Sequence, residues 1–118
     1  MIRDTETLQI LLDSLRQFVG EVLIPRENEV AETDAIPKDI VDQMREMGLF
    51  GLTIPEAYGG LGVTMEEEVN IAFELGRTSP AFRSYIGTNN GIGSIGILLD
   101  GTEEQRNQYL PQLASGEL

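Results

Sequence analysis

Apolar residues recur every three or four positions through much of the chain, the spacing that gathers them on one face of an α-helix. The first such segment covers residues 5 to about 23, and its apolar positions are Leu8, Leu11, Leu12, Leu15, Phe18, Val19 and Val22. Pro25 interrupts this helix. A second helix is predicted over residues 26–33, because proline is tolerated in a first helical turn.

Pro37 opens a third predicted helix, and Gly48 is placed to end it in the left-handed conformation. The apolar stripe of this helix is Ile40, Val41, Met44 and Met47. Residues 49–62 are predicted to form a loop, because Pro55 and the glycines Gly59, Gly60 and Gly62 favour turns over a helix.

Thr64 followed by Glu67 forms a capping box and predicts the start of a fourth helix. Its apolar side carries Val69, Ala72 and Phe73, with Gly76. Ser79 and Pro80 are typical of the cap and first position of a fifth helix, which is predicted to continue to Leu99 and to end at Gly101.

Thr102 and Gln105 form a second capping box. They predict a short helix to about Tyr109, and Pro111 then opens a last turn that Gly116 closes. No segment alternates with the period of two that a strand requires. The pattern therefore predicts an all-α fold, an up-and-down-like helical bundle of about five to six helices.

Composition is that of one soluble globular domain, which we expect to span residues 1–118. The chain has no cysteine and no histidine, so disulfides, thiol catalysis, cysteine-bound metals and histidine acid–base chemistry are excluded. Its net charge of −12 argues against nucleic acid or an anionic membrane surface as a partner. Arg3, Asp4 and Glu6 interrupt any signal peptide. No apolar run approaches the length of a membrane span, so we expect a soluble protein of the cytoplasm or, in a eukaryote, of the mitochondrial matrix.

Four glycines, Gly87, Gly91, Gly93 and Gly96, lie within the predicted fifth helix. Interior glycines cost a helix about 1 kcal/mol each, so some feature must compensate for them. Ser84, Thr88 and Ile92 follow one another at intervals of four and form a stripe of mixed polarity. Taken by itself, this spacing favours close helix packing in a core over the wall of a ligand cavity.

Three other motifs have weaker support. Residues 91–96 match the dinucleotide fingerprint G-x-G-x-x-G, but the motif requires a strand before it and a full helix after it. Glu66, Glu67 and Glu68 are consecutive, so their carboxylates diverge and suit the positive end of a helix dipole. Asp13-Ser14-Leu15 is similar to the attachment site of acyl carrier proteins, which are also small, acidic and helical. That serine must lie exposed at a helix start, whereas Ser14 falls in the middle of a predicted helix.

Three segments in order resemble the acyl-CoA dehydrogenase family. The first is the loop of residues 48–62, with Gly-Leu, then Pro-Glu, then Tyr-Gly-Gly-x-Gly. The second is Asn90-Gly91-Ile92-Gly93 in the glycine-rich helix, where residue 89 is Asn and many relatives have histidine. The third is residues 101–117, with Gly-Thr-Glu-Glu-Gln-Arg, then Tyr-Leu-Pro and Leu-Ala-Ser-Gly-Glu.

The resemblance implies an N-terminal helical domain, followed in the family by a middle β domain and a C-terminal four-helix bundle. Family members are homotetramers or dimers that oxidise acyl-CoA thioesters to trans-2-enoyl-CoA. A glutamate of the C-terminal domain removes the α-proton while the β-hydride passes to FAD. We therefore expect a domain boundary near Leu118 and no catalytic, FAD-binding or metal-binding residue within the chain.

The resemblance also implies that the glycine-rich helix forms one wall of the acyl-chain cavity, lined by Ser84, Tyr85, Thr88 and Ile92. The leading hypothesis is the N-terminal domain of an FAD-dependent acyl-CoA dehydrogenase that is inactive alone. Its implied partners are the acyl-CoA substrate and electron-transfer flavoprotein or a similar acceptor. A stand-alone helical acyl-CoA-binding or docking module is the alternative, and a carrier protein modified at Ser14 is the third.

Overall fold

The computed structural model describes residues 4–118. Within this range the secondary structure is helical, with no strand, so the all-α prediction is confirmed. Arg3, one of the charges used to argue against a signal peptide, lies outside the described residues. Seven α-helices follow in chain order: α1 (Thr5–Phe18), α2 (Glu27–Thr33), α3 (Lys38–Glu46), α4 (Met65–Leu75), α5 (Pro80–Asn90), α6 (Ile95–Asp100) and α7 (Glu103–Ser115).

The predicted helix starts are confirmed by their hydrogen bonds. The side chains of Thr64 and Thr102 accept from the amides of Glu67 and Gln105, and both capping boxes are complete. Ser79 accepts from the amide of Ala81 at the start of α5, where Pro80 is the first residue. Each of these bonds satisfies an amide that a helix N-terminus otherwise leaves free.

Pro25 changes the helix without separating its two parts. The turn before it, Val19–Leu23, is a π-helix in which the Ile24 amide donates to the Val19 carbonyl, and Ile24–Arg26 is a 3₁₀ turn. Proline has no amide proton and its ring crowds the preceding turn, so the backbone widens and redirects there. The chain then continues into α2.

The predicted fifth helix is not continuous to Leu99, and that prediction was wrong. Helix α5 ends at Asn90, because Gly91 adopts φ −124° and ψ −103°, outside the helical region. The Gly93 amide donates back to the Thr88 carbonyl at 2.8 Å, and the chain turns before α6 begins. Two of the four glycines therefore form a turn, and only Gly87 and Gly96 lie within helices.

Pro111 does not open a separate turn, as we had predicted, but lies inside α7. A proline there removes one backbone hydrogen bond and crowds the carbonyl four residues earlier. The helix continues because Leu110, Leu113 and Ala114 on either side of the proline are buried. With Ile54 they form a small second core cluster. Gly116 then ends α7 at φ 77°, as predicted.

The main core lies where α1 and the π-turn meet α2, α3, α4, α5 and the loop between α3 and α4. Its buried residues are Leu15, Phe18, Val19, Leu23, Val30, Ile40, Val41, Met44, Leu49, Phe50, Leu52, Ile71, Leu75, Phe82 and Ile86. The Cα atoms span 42 × 34 × 19 Å, so the shortest dimension holds about two layers of helices. Each layer therefore leaves faces of its helices exposed.

Helix α4 faces the core with a different side from the apolar side identified in the sequence. Ile71 and Leu75 are buried with Glu67, whereas Val69 is 47% exposed and Phe73 is 73% exposed. Met65, one turn before Val69, is exposed as well. Residues four apart share one helix face, so these three side chains form an exposed apolar stripe along α4.

Helices α1 and α4 are joined by an ion pair that makes stability depend on pH. Glu74, 14% exposed, accepts from Arg16 Nη2 at 2.7 Å and from Arg77 Nη1 at 3.3 Å. The bond from Arg16, then that from Arg77, holds the pKa of Glu74 below its usual value despite partial burial. A carboxyl with a lowered folded pKa stabilises the fold above its unfolded pKa, about 4.3, and this contribution disappears as pH falls through the folded pKa.

We therefore expect the free energy of unfolding to decline on acidification below about pH 4.3, and Glu74→Gln to flatten that decline. Urea unfolding at pH 7, 4 and 3 measures both effects. The matched control is Glu104→Gln, at an exposed position on α7 that forms no ion pair with any other described residue. Parallel pH profiles for wild type and Glu74→Gln would contradict the assignment.

Candidate functional site

The loop between α3 and α4 is a compact structure held by its own backbone. The amides of Leu61, Gly62 and Val63 donate to the carbonyls of Gly51, Ile54 and Leu52 at 2.8 to 2.9 Å. Gly48, Gly59 and Gly62 have positive φ, of 73°, 87° and 59°. Glycine adopts this conformation without steric cost, which explains the first and last glycines of the Gly-Gly-x-Gly motif, Gly59 and Gly62.

Asn90 at the end of α5 ties that loop to the glycine-rich segment. Its Oδ1 accepts from the Thr53 amide at 3.1 Å, and its Nδ2 donates to the carbonyls of Leu49 at 2.7 Å and Ile86 at 3.0 Å. The Thr53 hydroxyl donates to the Asn90 carbonyl at 2.6 Å. Asn90 is buried. The first two sequence motifs are therefore one structural unit that fixes where α5 ends.

Three of the four predicted cavity residues lie together on the surface. Ser84, Thr88 and Ile92 line an open concavity of about 350 Å³. The other residues that line it are Glu68, Arg83, Gly87 and Gly91. Ser84 and Thr88 are exposed, and Ile92 is 94% exposed. Packing of this stripe inside the core of the chain, which the spacing favoured, is wrong.

Tyr85 lies on a different side of α5. Its ring packs edge-on against Phe50, with centroids 5.9 Å apart and planes at 73°. It lines a separate concavity of about 350 Å³ with Val30, Asp34, Ala35, Ile36 and Ala81. One residue step turns a helical side chain by about 100°, so Tyr85 does not share the concavity of Ser84.

Sequence reasoning missed two charged residues of the first concavity, Glu68 and Arg83. Arg83 precedes Gly87 by four residues, so both lie on one side of α5. That spacing was visible in the sequence. The sequence position of Glu68 indicates only a charge that suits the helix dipole, because its proximity to α5 arises from the packing of α4 against α5.

The fingerprint at residues 91–96 does not fit a flavin diphosphate. Phosphate binding at such a motif uses free backbone amides at the start of a long helix. Here the amides of Gly91 and Gly93 donate to the Thr88 carbonyl, and those of Ser94 and Ile95 donate to the Gly91 carbonyl. Helix α5 precedes the segment, where the motif requires a strand.

Two further observations concern residues 4–118 as a whole. No group of three or more acidic side chains is arranged to hold a metal ion within this range. None of the helices in the described part of the chain is both long enough and apolar enough to cross a membrane.

Ser14 lies in the middle of α1 rather than at a helix start.

The comparisons with known proteins agree with this geometry. The family model "Acyl-CoA dehydrogenase, N-terminal domain" matches residues 5–117. The (2S)-methylsuccinyl-CoA dehydrogenase of Cereibacter sphaeroides is 40% identical over 114 residues, which are 96% of this chain and 21% of that protein.

Solved structures show the same fold. The acyl-CoA dehydrogenase of Geobacillus kaustophilus matches with a TM-score of 0.83 and 29% identity, over 99% of this chain and 30% of that one. The acyl-CoA dehydrogenase of Bacillus anthracis, complexed with FAD, matches with a TM-score of 0.81 and 29% identity, over 98% of this chain and 20% of that one. The chain thus spans at most about three-tenths of each of these relatives. It belongs to the acyl-CoA dehydrogenase family, whose N-terminal domain it matches along almost its whole length.

Proposed function

We propose that residues 1–118 are the N-terminal helical domain of an FAD-dependent acyl-CoA dehydrogenase and are inactive alone. The observation that carries this proposal is exposed apolar surface on α4, where Phe73 is 73% exposed, and in the turn after α5, where Ile92 is 94% exposed. Apolar surface of this kind marks a binding face in soluble proteins. In the parent enzyme it would be covered by acyl chain and by the rest of the protein.

The stripe of Ser84, Thr88 and Ile92 would form one wall of the acyl-chain cavity in that enzyme. Its small side chains and glycines keep the helix surface open, and Ile92 supplies the apolar contact. Tyr85 was assigned to the same wall by the resemblance. Its contact with Phe50 supports a role in holding α5 against the loop, and through it the position of the wall.

FAD belongs to the parent enzyme in this proposal, and residues 1–118 bind none. When bound, FAD supplies the two-electron acceptor for oxidation of the Cα–Cβ bond of the acyl group. The described residues position the acyl chain and exclude water from one side of it. Base and flavin-binding groups would come from the middle and C-terminal domains of the family.

The partners we propose for the parent enzyme are the acyl-CoA substrate and electron-transfer flavoprotein or a similar acceptor, in a homo-oligomer. The process would be fatty acid β-oxidation or related acyl-CoA metabolism, in the cytoplasm or, in a eukaryote, the mitochondrial matrix. The net charge of −12 supports the absence of nucleic acid among these partners.

Sequencing the coding DNA past the Leu118 codon tests the domain assignment. We expect a reading frame that continues into a flavin-binding domain, and the purified product should carry FAD that acyl-CoA reduces anaerobically. A stop codon there, with saturable acyl-CoA binding to the 118-residue chain by calorimetry, would instead establish the stand-alone acyl-CoA-binding module.

Ile92→Trp tests the wall in the enzyme of the complete reading frame. A larger side chain would fill the cavity that a long acyl chain needs, and each displaced methylene costs about 1–3 kcal/mol of transition-state binding. We expect kcat/KM to fall about tenfold more for a long acyl-CoA than for a four-carbon one. Flavin reduction in single-turnover experiments measures this difference between the two substrates.

The control is Ile10→Trp, at a position that is 61% exposed on α1 and outside this concavity. It should leave the ratio of the two kcat/KM values unchanged. An equal fall for both chain lengths in Ile92→Trp would contradict a role for Ile92 in the wall.

A further inference from the structure

The basic side chains of this acidic protein are almost all engaged within the chain. Among residues 4–118, five of the seven cations lie within 4 Å of a carboxylate: Arg16, Arg26, Lys38, Arg45 and Arg77. Arg106 donates to the Leu98 carbonyl at 2.9 Å. Arg83 is the one described cation with neither a hydrogen bond nor an ion pair.

The guanidinium of Arg83 lies on the proposed cavity wall. Arg83 extends along α5 over Gly87, where an added Cβ would come within 2.7 Å of Arg83 Nη1. Glycine at this position therefore gives the guanidinium room to lie along the helix surface. Arg83 and Gly87 both line the concavity that contains Ser84, Thr88 and Ile92.

Neutral hydrogen-bond donors stand beside this cation. The hydroxyls of Ser84 and Thr88 line the same concavity, and neither makes a hydrogen bond within the described part of the chain. Glu68 also lines it but does not approach Arg83 within ion-pair distance, although 20 acidic residues stand against 8 basic ones in the sequence. A planar guanidinium with flanking hydroxyls is suited to a carboxylate, which it binds through paired hydrogen bonds.

We propose that Arg83 binds a carboxylate carried at the far end of the acyl chain, so that the substrate is a dicarboxylic acyl-CoA thioester. The inference rests on the proposed function, which places the acyl chain against this wall. Because enclosure by the acyl chain and the other domains would remove water, an unpaired Arg83 there would be costly without an anion. The terminal carboxylate of the substrate supplies the negative charge that pairs with Arg83.

The test compares matched substrates in the enzyme of the complete reading frame. Glutaryl-CoA and longer ω-carboxyacyl-CoAs are measured against their monomethyl esters, which have nearly the same shape and the same CoA phosphates but no terminal charge. We expect wild type to prefer the free carboxylate, and Arg83→Met to lower that preference ratio by about 100-fold, as expected for loss of a charged hydrogen-bonded contact. Arg83→Lys should restore part of it, because a lysine keeps the charge but not the paired geometry.

The control is Arg77→Met, which removes an exposed arginine whose partner is Glu74 and should leave the preference ratio at its wild-type value. A wild-type enzyme that prefers the esters would overturn the inference while leaving the proposed function in place. So would an Arg83→Met variant that lowers kcat/KM equally for both substrates, which would assign Arg83 to the CoA phosphates. Reduction of the flavin by no acyl-CoA of either kind would overturn the proposed function and the inference with it.

Discussion

Gly60→Ala lowers the free energy of unfolding by about 3 kcal/mol or more, the upper range for overpacking a tight site. A Cβ at this position would lie 1.9 Å from the Ile54 carbonyl oxygen and 2.6 Å from the Gly51 carbonyl oxygen. Both oxygens belong to the backbone, and both accept hydrogen bonds within the loop. The methyl group therefore cannot be accommodated by a side-chain rotation, and the loop must open.

The adjacent glycine supplies a matched control. Gly59 has φ 87°, but within the described part of the chain no atom lies within 4 Å of an added Cβ, so Gly59→Ala should cost only the left-handed strain of about 1–2 kcal/mol. Urea unfolding of the 118-residue chain measures both variants. A Gly60→Ala variant no less stable than Gly59→Ala would show that the loop does not approach Gly60 as closely as described.

Asn90→Ala is the second large effect, and we expect it to cost about 3 kcal/mol. The substitution removes one acceptor and two donated bonds of the Asn90 amide. It leaves the Leu49 carbonyl buried without this partner, and a buried polar group that loses its partner costs about 1–3 kcal/mol. Because Asn90 ends α5, loss of its side-chain hydrogen bonds also loosens the start of the turn that contains Gly91 and Gly93.

Asn107→Ala on the exposed side of α7 controls for loss of an asparagine and should change stability by less than about 0.5 kcal/mol. Hydrogen exchange adds a local measurement, since the Thr53 amide should lose protection in Asn90→Ala before the amides of α1 do. Equal stability of Asn90→Ala and Asn107→Ala would exclude Asn90 as the link between the loop and α5.

The sequence predicted the parts of this fold that depend on neighbouring residues. Capping boxes at Thr64 and Thr102, the start of α5 at Ser79 and the glycine ends at Gly48 and Gly116 are local interactions. They are complete within a few residues. The family could be identified for a related reason, because its motifs lie in a loop and a turn whose unusual backbone restricts which residues fit.

Sequence periodicity was misleading where local preference and packing disagree. The glycine-rich segment has helical residues on both sides, and its sequence does not show that Gly91 leaves the helical region. Pro111 suggested a break in α7, which burial of Leu110, Leu113 and Ala114 prevents. On α4 an apolar side is visible in the sequence, but periodicity does not tell a core face from an exposed one. Which side faces the core depends on where α1 and α5 lie.

By itself, then, the sequence determined that this protein is all-α, where its capped helices begin and which family it belongs to. Only the tertiary structure decided that Ser84, Thr88 and Ile92 are exposed together, that Tyr85 is turned away from them, and that Arg83 has no partner among residues 4–118. The physical reason is that helix starts and turns are set by hydrogen bonds within one or two turns of chain. Exposure and pairing depend on residues far away in sequence, whose contacts form only when the helices pack.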